Sequence, residues 1–452
     1  MVPAAALAAV LAVVGDEMGA AAAASLEARP AASRLSPLQA RVDAAPAGAT
    51  LEVGPGDYRG DLYLDRPVRL VGRGRPRLLG TGAGSVVMVR SDDVAIDGFD
   101  IDGGGGGDLG RDSSGIHVSG RRAAVRDCRV SNALFGIYLR AADGSTVERC
   151  AIQGISGKDA GEKGSGIHVW NTTGFRLLEN RIADVRDGFY IQSSSHGDIR
   201  GNTARDLRYG LHYMFSDDNV FEDNTFENGA AGTALMYSRR IVFRRNRFLH
   251  NRGFASVGLL FKACEDDVAE SNLIADNARG IFLEGSFRNL FRGNVVAESD
   301  VAIALYDSCS GNRFVDNVFL ANLTPLSLVG RRTDTDFDGN YWSTNGVPDL
   351  DGDGRSDRPY RLASVFDHLR GNLTAADLFT ESVAAQALGA AEGAFPILED
   401  LPVADHSPLA RSVTSPDIPP PPRPGVRRRA GAVAASAAAV GLALAVMVAG
   451  RR

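Results

Sequence analysis

Three side chains make up a soft donor set. His212 and Met214 alternate within GLHYM (residues 210–214), and Met236 closes the corresponding segment GTALM (residues 232–236), 22 residues further on. Alternation at period two places His212 and Met214 on one face of an extended strand. If the 22-residue offset is a structural repeat, Met236 stands beside Met214 on the neighbouring strand. One imidazole and two thioethers suit Cu(I), which prefers sulfur, while zinc and calcium favour thiolate or oxygen donors. The chain has only six methionines, Met1 included; the competing reading of this trio is an apolar recognition patch. A second constellation is Asp349-Leu-Asp351-Gly-Asp353-Gly-Arg-Ser-Asp357. Its alternating carboxylates followed by glycine resemble the opening of a calcium loop, but loop position twelve, where a bidentate Glu belongs, holds Tyr360. Asp349, Asp351, Asp353 and Asp357 are therefore a partial calcium site, with an acidic turn as the alternative.

The elements that must position these groups are written as a repeat. Short apolar-alternating segments begin at Gly115, Gly136, Gly166, Gly188, Gly210, Gly232, Gly258, Gly280 and Ala302, mostly 21 or 22 residues apart. The longer steps hold insertions at residues 156–163 and 251–254. A second marker runs in phase: Asn180, Asn202, Asn224, Asn246, Asn272, Asn294, Asn317 and Asn340. Period-two alternation marks strands, while Gly and Asn mark corners. One coil cannot bury its apolar face, but stacked coils share a continuous core. This predicts an all-β fold, a right-handed single-stranded parallel β-helix of about 22-residue coils over residues 36–343, with a partly helical C-terminal tail (344–414) capping the last coil. The Asn column is expected to be an internal amide ladder. Cys128 and Cys150 hold its upstream positions, either as buried small residues or as a disulfide between coils; Cys264 and Cys309 match no metal spacing.

Counting from each corner, the first and third residues are apolar and face the core, so the second and fourth point outward. The second column reads His117, Tyr138, His168, Tyr190, His212, Ala234, Leu260, Phe282, Ala304 and the fourth Ser119, Arg140, Trp170, Gln192, Met214, Met236, Lys262, Glu284, Tyr306. At about 4.8 Å between strands they are expected to form one exposed strip. His117, His168, Trp170 and Tyr190 are then candidates for partner or metal contact beside His212, Met214 and Met236. These columns contain no Asp and only Glu284, beside Lys262. General acid–base work on a glycan needs paired carboxylates, so no enzyme is expected. The alternative is a polysaccharide-active or glycan-binding β-helix, with Trp170, Tyr190 and Tyr306 stacking on sugar rings.

With 49 basic and 55 acidic residues the net charge is −6, and no basic block lies within the body, which argues against nucleic acid as a partner. Residues 1–25 hold an apolar run (3–15) followed by small residues, as in a signal peptide, although no Lys or Arg precedes it. Residues 415–429 form a Pro/Arg linker, and 430–450 are 21 uncharged residues, enough to cross a bilayer core as an anchor. Arginines flank both sides, so charge does not set its orientation. The expected location is the periplasm, with the chain anchored to the inner membrane by its C-terminal helix.

The coil GIHVWNTTGFRLLENRI (166–182), the segment GLHYMFSDDN (210–219), the close DGNYW (338–342) and the run DLDGDGRSDRPY (349–360) together resemble the NosD family of periplasmic maturation proteins of nitrous oxide reductase. The similarity spans roughly residues 36–410. It implies a copper-binding accessory protein that works with an ABC transporter ATPase and its membrane subunit. It also implies that copper arrives from a chaperone and that the protein supports assembly of the reductase's copper–sulfide centre. The proline linker and anchor depart from the family pattern of a soluble protein.

Overall fold

A single coil explains the architecture. Arg181–Ala183, Asp187–Gln192 and Asp198–Arg200 are strands whose inward residues Ile182, Phe189, Ile191 and Ile199 are fully buried. Each strand is too short to fold alone, and each pairs in parallel with its counterparts one coil up and one coil down, Ile182 lying between Ile152 and Ala204. The computed structural model describes residues 35–107, 112–253, 255–330, 333–362, 403–412, 414 and 416–420. Over these residues about 13 such coils form a right-handed parallel β-helix. Its three sheets have 15, 13 and 12 strands among the described residues. The chain divides into two units, Met1–Pro416, which holds the solenoid, and Asp417–Arg452.

The corners use the residues that mark the repeat. Asn202 Nδ2 donates to Asn224 Oδ1 (2.9 Å) and to the Leu177 carbonyl (2.8 Å), while the Asn202 backbone N–H donates to the same Asn224 oxygen (3.0 Å). The pattern repeats coil by coil, so buried backbone donors that the corner would orphan are satisfied by amides. Cys128 and Cys150 begin this column as buried free thiols, and the Cys150 N–H donates to Asn180 Oδ1 at 3.0 Å. The recurring glycines answer a need for space. A Cβ on Gly166 would lie 2.4 Å from Ile182 Cγ2, and one on Gly210 2.6 Å from the Gly232 carbonyl oxygen. Phenylalanines stack in the interior, Phe221 on Phe243 at 4.8 Å and Phe291 on Phe314 at 4.5 Å.

Both ends of the stack are closed. Helix Gln39–Ala44 buries Val42 against the first coils, and the Gln39 amide pairs with the Tyr63 backbone in both directions, at 3.0 and 2.8 Å. At the far end the strand Ala404–Asp405 adds a rung, with Asp405 opposite Phe337, and pairs antiparallel with Tyr360–Arg361. The buried Asp405 carboxylate accepts the backbone N–H groups of Gly339 (3.1 Å) and Asn340 (3.0 Å), Asn340 Nδ2 (2.8 Å) and Trp342 Nε1 (2.9 Å). The expected leader (1–25), the stretch 382–395 on which the expectation of helix in the tail rests, and the expected anchor (430–450) lie outside the described residues. Among the described residues no helix is long and apolar enough to cross a membrane.

Candidate functional site

The third sheet carries the soft donors. Strand Tyr209–Met214 lies between Asp187–Gln192 and Ala231–Met236, with Tyr190, His212 and Ala234 in one row and Gln192, Met214 and Met236 in the next. Met214 and Met236 are thus neighbours across the strand pair, and His212 stands two residues from Met214 on the same face. The strip itself is corrected in one respect: it points outward but is not exposed. His212 is 1% exposed, and His117, His168, Tyr190 and Met236 are buried too, while Trp170 and Met214 remain partly open.

Coils one strand spacing apart bring the outward rings into contact, and they shield one another. The centroid distances are 5.0 Å for His117–Tyr138, 4.4 Å for Tyr138–His168, 4.5 Å for His168–Tyr190 and 4.7 Å for Tyr190–His212. Guanidinium groups close over the flanks, Arg140 on Trp170 at 5.1 Å and Arg208 on Tyr209 at 4.4 Å.

At the centre of this layer is a residue that the repeat does not single out. Asp187, fully buried, accepts Arg208 Nε (2.9 Å) and Nη2 (2.7 Å), and faces His212 Nδ1 at 3.4 Å. Burial alone would raise its pKa, but the His212 and Arg208 donors outweigh that and hold it well below the usual carboxylate range. Its only sequence signal is an Asp just before a corner glycine, where neighbouring coils place Ser165, Tyr209 and Ala231. Among the described residues, His212 Nε2, both nitrogens of His168 and His117 Nδ1 are buried without a hydrogen-bond partner. Burial, reinforced by the Arg186 cation, lowers His168 to about 3; burial with Arg140 lowers His117 to about 4. Burial pushes Tyr190 up to about 12.

The acidic loop is a different kind of cluster. Ligand atoms of Asp349, Asp351 and Asp353 lie within 4.8 Å of one another. Asp357 is not in that group, and its Oδ2 accepts the Leu350 N–H at 2.7 Å. The clustered carboxylates accept loop N–H groups themselves, Asp349 from Gly352 (2.7 Å) and Gly354 (3.0 Å), and Asp353 from Arg355 (2.7 Å). A groove of about 650 Å³ runs across the second sheet, lined by Arg77, Asp100, Arg129, Arg181, Arg205 and Glu227 among others. Asp100 is paired with Arg75 at 3.1 Å.

A family model described as periplasmic copper-binding protein (NosD) matches residues 153–348. Two curated proteins described as probable ABC transporter binding protein NosD resemble the chain. That of Stutzerimonas stutzeri is 27% identical over 379 residues, 79% of this chain and 86% of its own length. That of Pseudomonas aeruginosa is 27% identical over 376 residues, 79% of this chain and 87% of its own. Among solved structures, the A-module of a mannuronan C-5 epimerase from Azotobacter vinelandii superposes with a TM-score of 0.55 at 16% identity, covering 66% of this chain and 94% of that one. At that identity the likeness is one of fold.

Proposed function

We propose that this chain, which resembles the NosD family of periplasmic copper-binding proteins, is a member of it and a non-enzymatic assembly factor that carries Cu(I) as cargo on the outer face of its third sheet. The donors in this reading are His212 Nε2 and the thioethers of Met214 and Met236. The supporting observation is the His212 ring: Nδ1 faces the Asp187 carboxylate at 3.4 Å, while the buried Nε2 has no partner. A carboxylate on one nitrogen fixes the tautomer and the ring plane, and leaves the other nitrogen's lone pair for a metal. Asp187 is itself immobilised by two bonds from Arg208, so the imidazole is oriented before any ion arrives. His117, His168, Trp170 and Tyr190 form the packed layer around this donor and do not ligate.

In this proposal the protein receives copper from a chaperone and acts with an ABC transporter ATPase and its membrane subunit. The destination of the copper is the copper–sulfide centre of nitrous oxide reductase, and the C-terminal helix holds the chain at the inner membrane. Calcium has no part in it. The competing reading, a glycan-binding or glycan-active β-helix, has the groove over the second sheet as its observation, with Arg129, Arg181 and Arg205 on its wall.

Titration with Cu(I) against a chromophoric chelator under reducing conditions tests the proposal. The double variant Met214→Leu/Met236→Leu keeps apolar volume and removes both sulfurs, so it should fold as the parent, at a cost below about 1.5 kcal/mol, while losing Cu(I) affinity. Equal affinity in parent and variant would overturn it, and saturable binding of acidic oligosaccharides without copper binding would favour the glycan reading.

A further inference from the structure

Seven successive third-sheet strands, Phe135–Arg140 through Arg279–Glu284, turn their corner through a residue in the left-handed region. In chain order these are Ala141 (φ 50°), Asn171 (50°), Ser193 (50°), Phe215 (48°), Tyr237 (54°), Ala263 (51°) and Gly285 (56°). Five of the seven are small or suited to that region, whereas bulky side chains avoid it. The two that break the rule are Phe215 and Tyr237, and they directly follow Met214 and Met236. Long polar side chains such as Arg149, Glu179, Arg245 and Arg288 take this conformation at other corners, but within this series of seven the two ring-bearing exceptions fall in the coils with the soft donors, where the rings gain nothing for the local backbone.

Neither ring serves the core. Phe215 is 53% and Tyr237 46% exposed, and they lie face to face at 5.1 Å between centroids and 11° between planes. They are among the few large apolar side chains that the described residues leave in water. The charges on the adjoining turn neutralise one another: Arg240 Nε is 2.6 Å from Asp218 Oδ1, and Arg239 Nε is 3.5 Å from Asp217 Oδ2. The platform therefore has aromatic faces and edges but no net field, which excludes a strongly charged ligand and suits an apolar, polarisable one. Thioether sulfur makes favourable contacts with aromatic ring edges. A partner that exchanges a soft ion at the adjacent Met214 must itself bring soft donors.

We propose that Phe215 and Tyr237 form a docking platform for a methionine-bearing segment of the protein that exchanges copper at the neighbouring thioethers. This rests on the copper reading, and the test separates the two. The variant Phe215→Asn/Tyr237→Asn places at both corners a residue that tolerates the left-handed conformation, so it should fold at least as well as the parent, as circular dichroism and urea unfolding will read. The probes are a synthetic peptide with several methionines and the same peptide with norleucine at those positions, each titrated without metal by fluorescence anisotropy. The methionine peptide should bind the parent and bind the double variant about tenfold more weakly or worse, and the norleucine peptide should bind the parent weakly. Cu(I) affinity against the small-molecule chelator should be the same in parent and variant. No binding to the parent, equal binding to parent and variant, or equal binding of the two peptides would each overturn the platform. Loss of Cu(I) binding in the parent would instead overturn the copper reading.

Discussion

His168 is enclosed between Tyr138 and Tyr190 at 4.4 and 4.5 Å, with neither ring nitrogen hydrogen-bonded. Protonating it in place would bury an unpaired charge, which is why burial lowers its pKa from 6.5 to about 3. The folded value lies below the unfolded one, so the unfolded chain binds the proton first. Stability contributed by the neutral ring is fully present above about pH 6.5 and is lost as pH falls toward the folded value. At about pH 5 the loss is one and a half pH units at about 1.4 kcal/mol each, or about 2 kcal/mol. His117, lowered to about 4, adds a similar amount. His168→Phe keeps a ring between the two tyrosines and removes the titrating group. Urea unfolding followed by circular dichroism at about pH 7.5 and about pH 5 should therefore show the variant losing about 2 kcal/mol less than the parent between the two. Equal losses would mean that His168 is hydrated or paired in solution and that the ring layer is open.

Asn246 accepts two bonds from Asn224, from the backbone N–H at 3.0 Å and from Nδ2 at 2.9 Å, and donates to the Phe221 carbonyl and to Asn272. Asn246→Leu should cost about 3–5 kcal/mol in urea unfolding by orphaning the two buried Asn224 donors and withdrawing the donor from the Phe221 carbonyl and Asn272 Oδ1, and a cost below about 1 kcal/mol would show that the ladder is dispensable. Calcium should leave the thermal midpoint unchanged, since Asp349 and Asp353 already accept loop N–H groups; a rise that Asp351→Asn abolishes would place an ion there. The full chain should fractionate with membranes and lose that association when residues 425–452 are deleted; a truncated chain that still pellets without its partners would refute the anchor.

Much of this molecule is legible in its sequence because a solenoid repeats one physical problem. Each coil must fill the same interior and satisfy the same corner donors, so Ile182, Ile199 and the Asn180-to-Asn340 column recur at a fixed interval. The direction of His212 and Met214 follows from strand parity alone. Their burial does not, because parity gives the side of the sheet and says nothing of what stacks above it. Asp187 escapes notice for a related reason: its partners Arg208 and His212 belong to the next coil, 21 and 25 residues on. Asp405 is more distant still, 65 residues beyond the Asn340 it binds.

That carboxylate also gives the amide column a direction and an end. Every asparagine in the column accepts from the coil before it and must find an acceptor in the coil after it, so the column resembles a one-dimensional crystal with a growing tip. Another asparagine at position 405 would carry an NH₂ group that asks for one more coil. A carboxylate only accepts, and Asp405 takes four donors from Gly339, Asn340 and Trp342 without presenting a new one. It works as a chain terminator: the column ends in a group that is filled from one side and asks for nothing on the other, while the antiparallel strand Tyr360–Arg361 takes up the edge of the same rung.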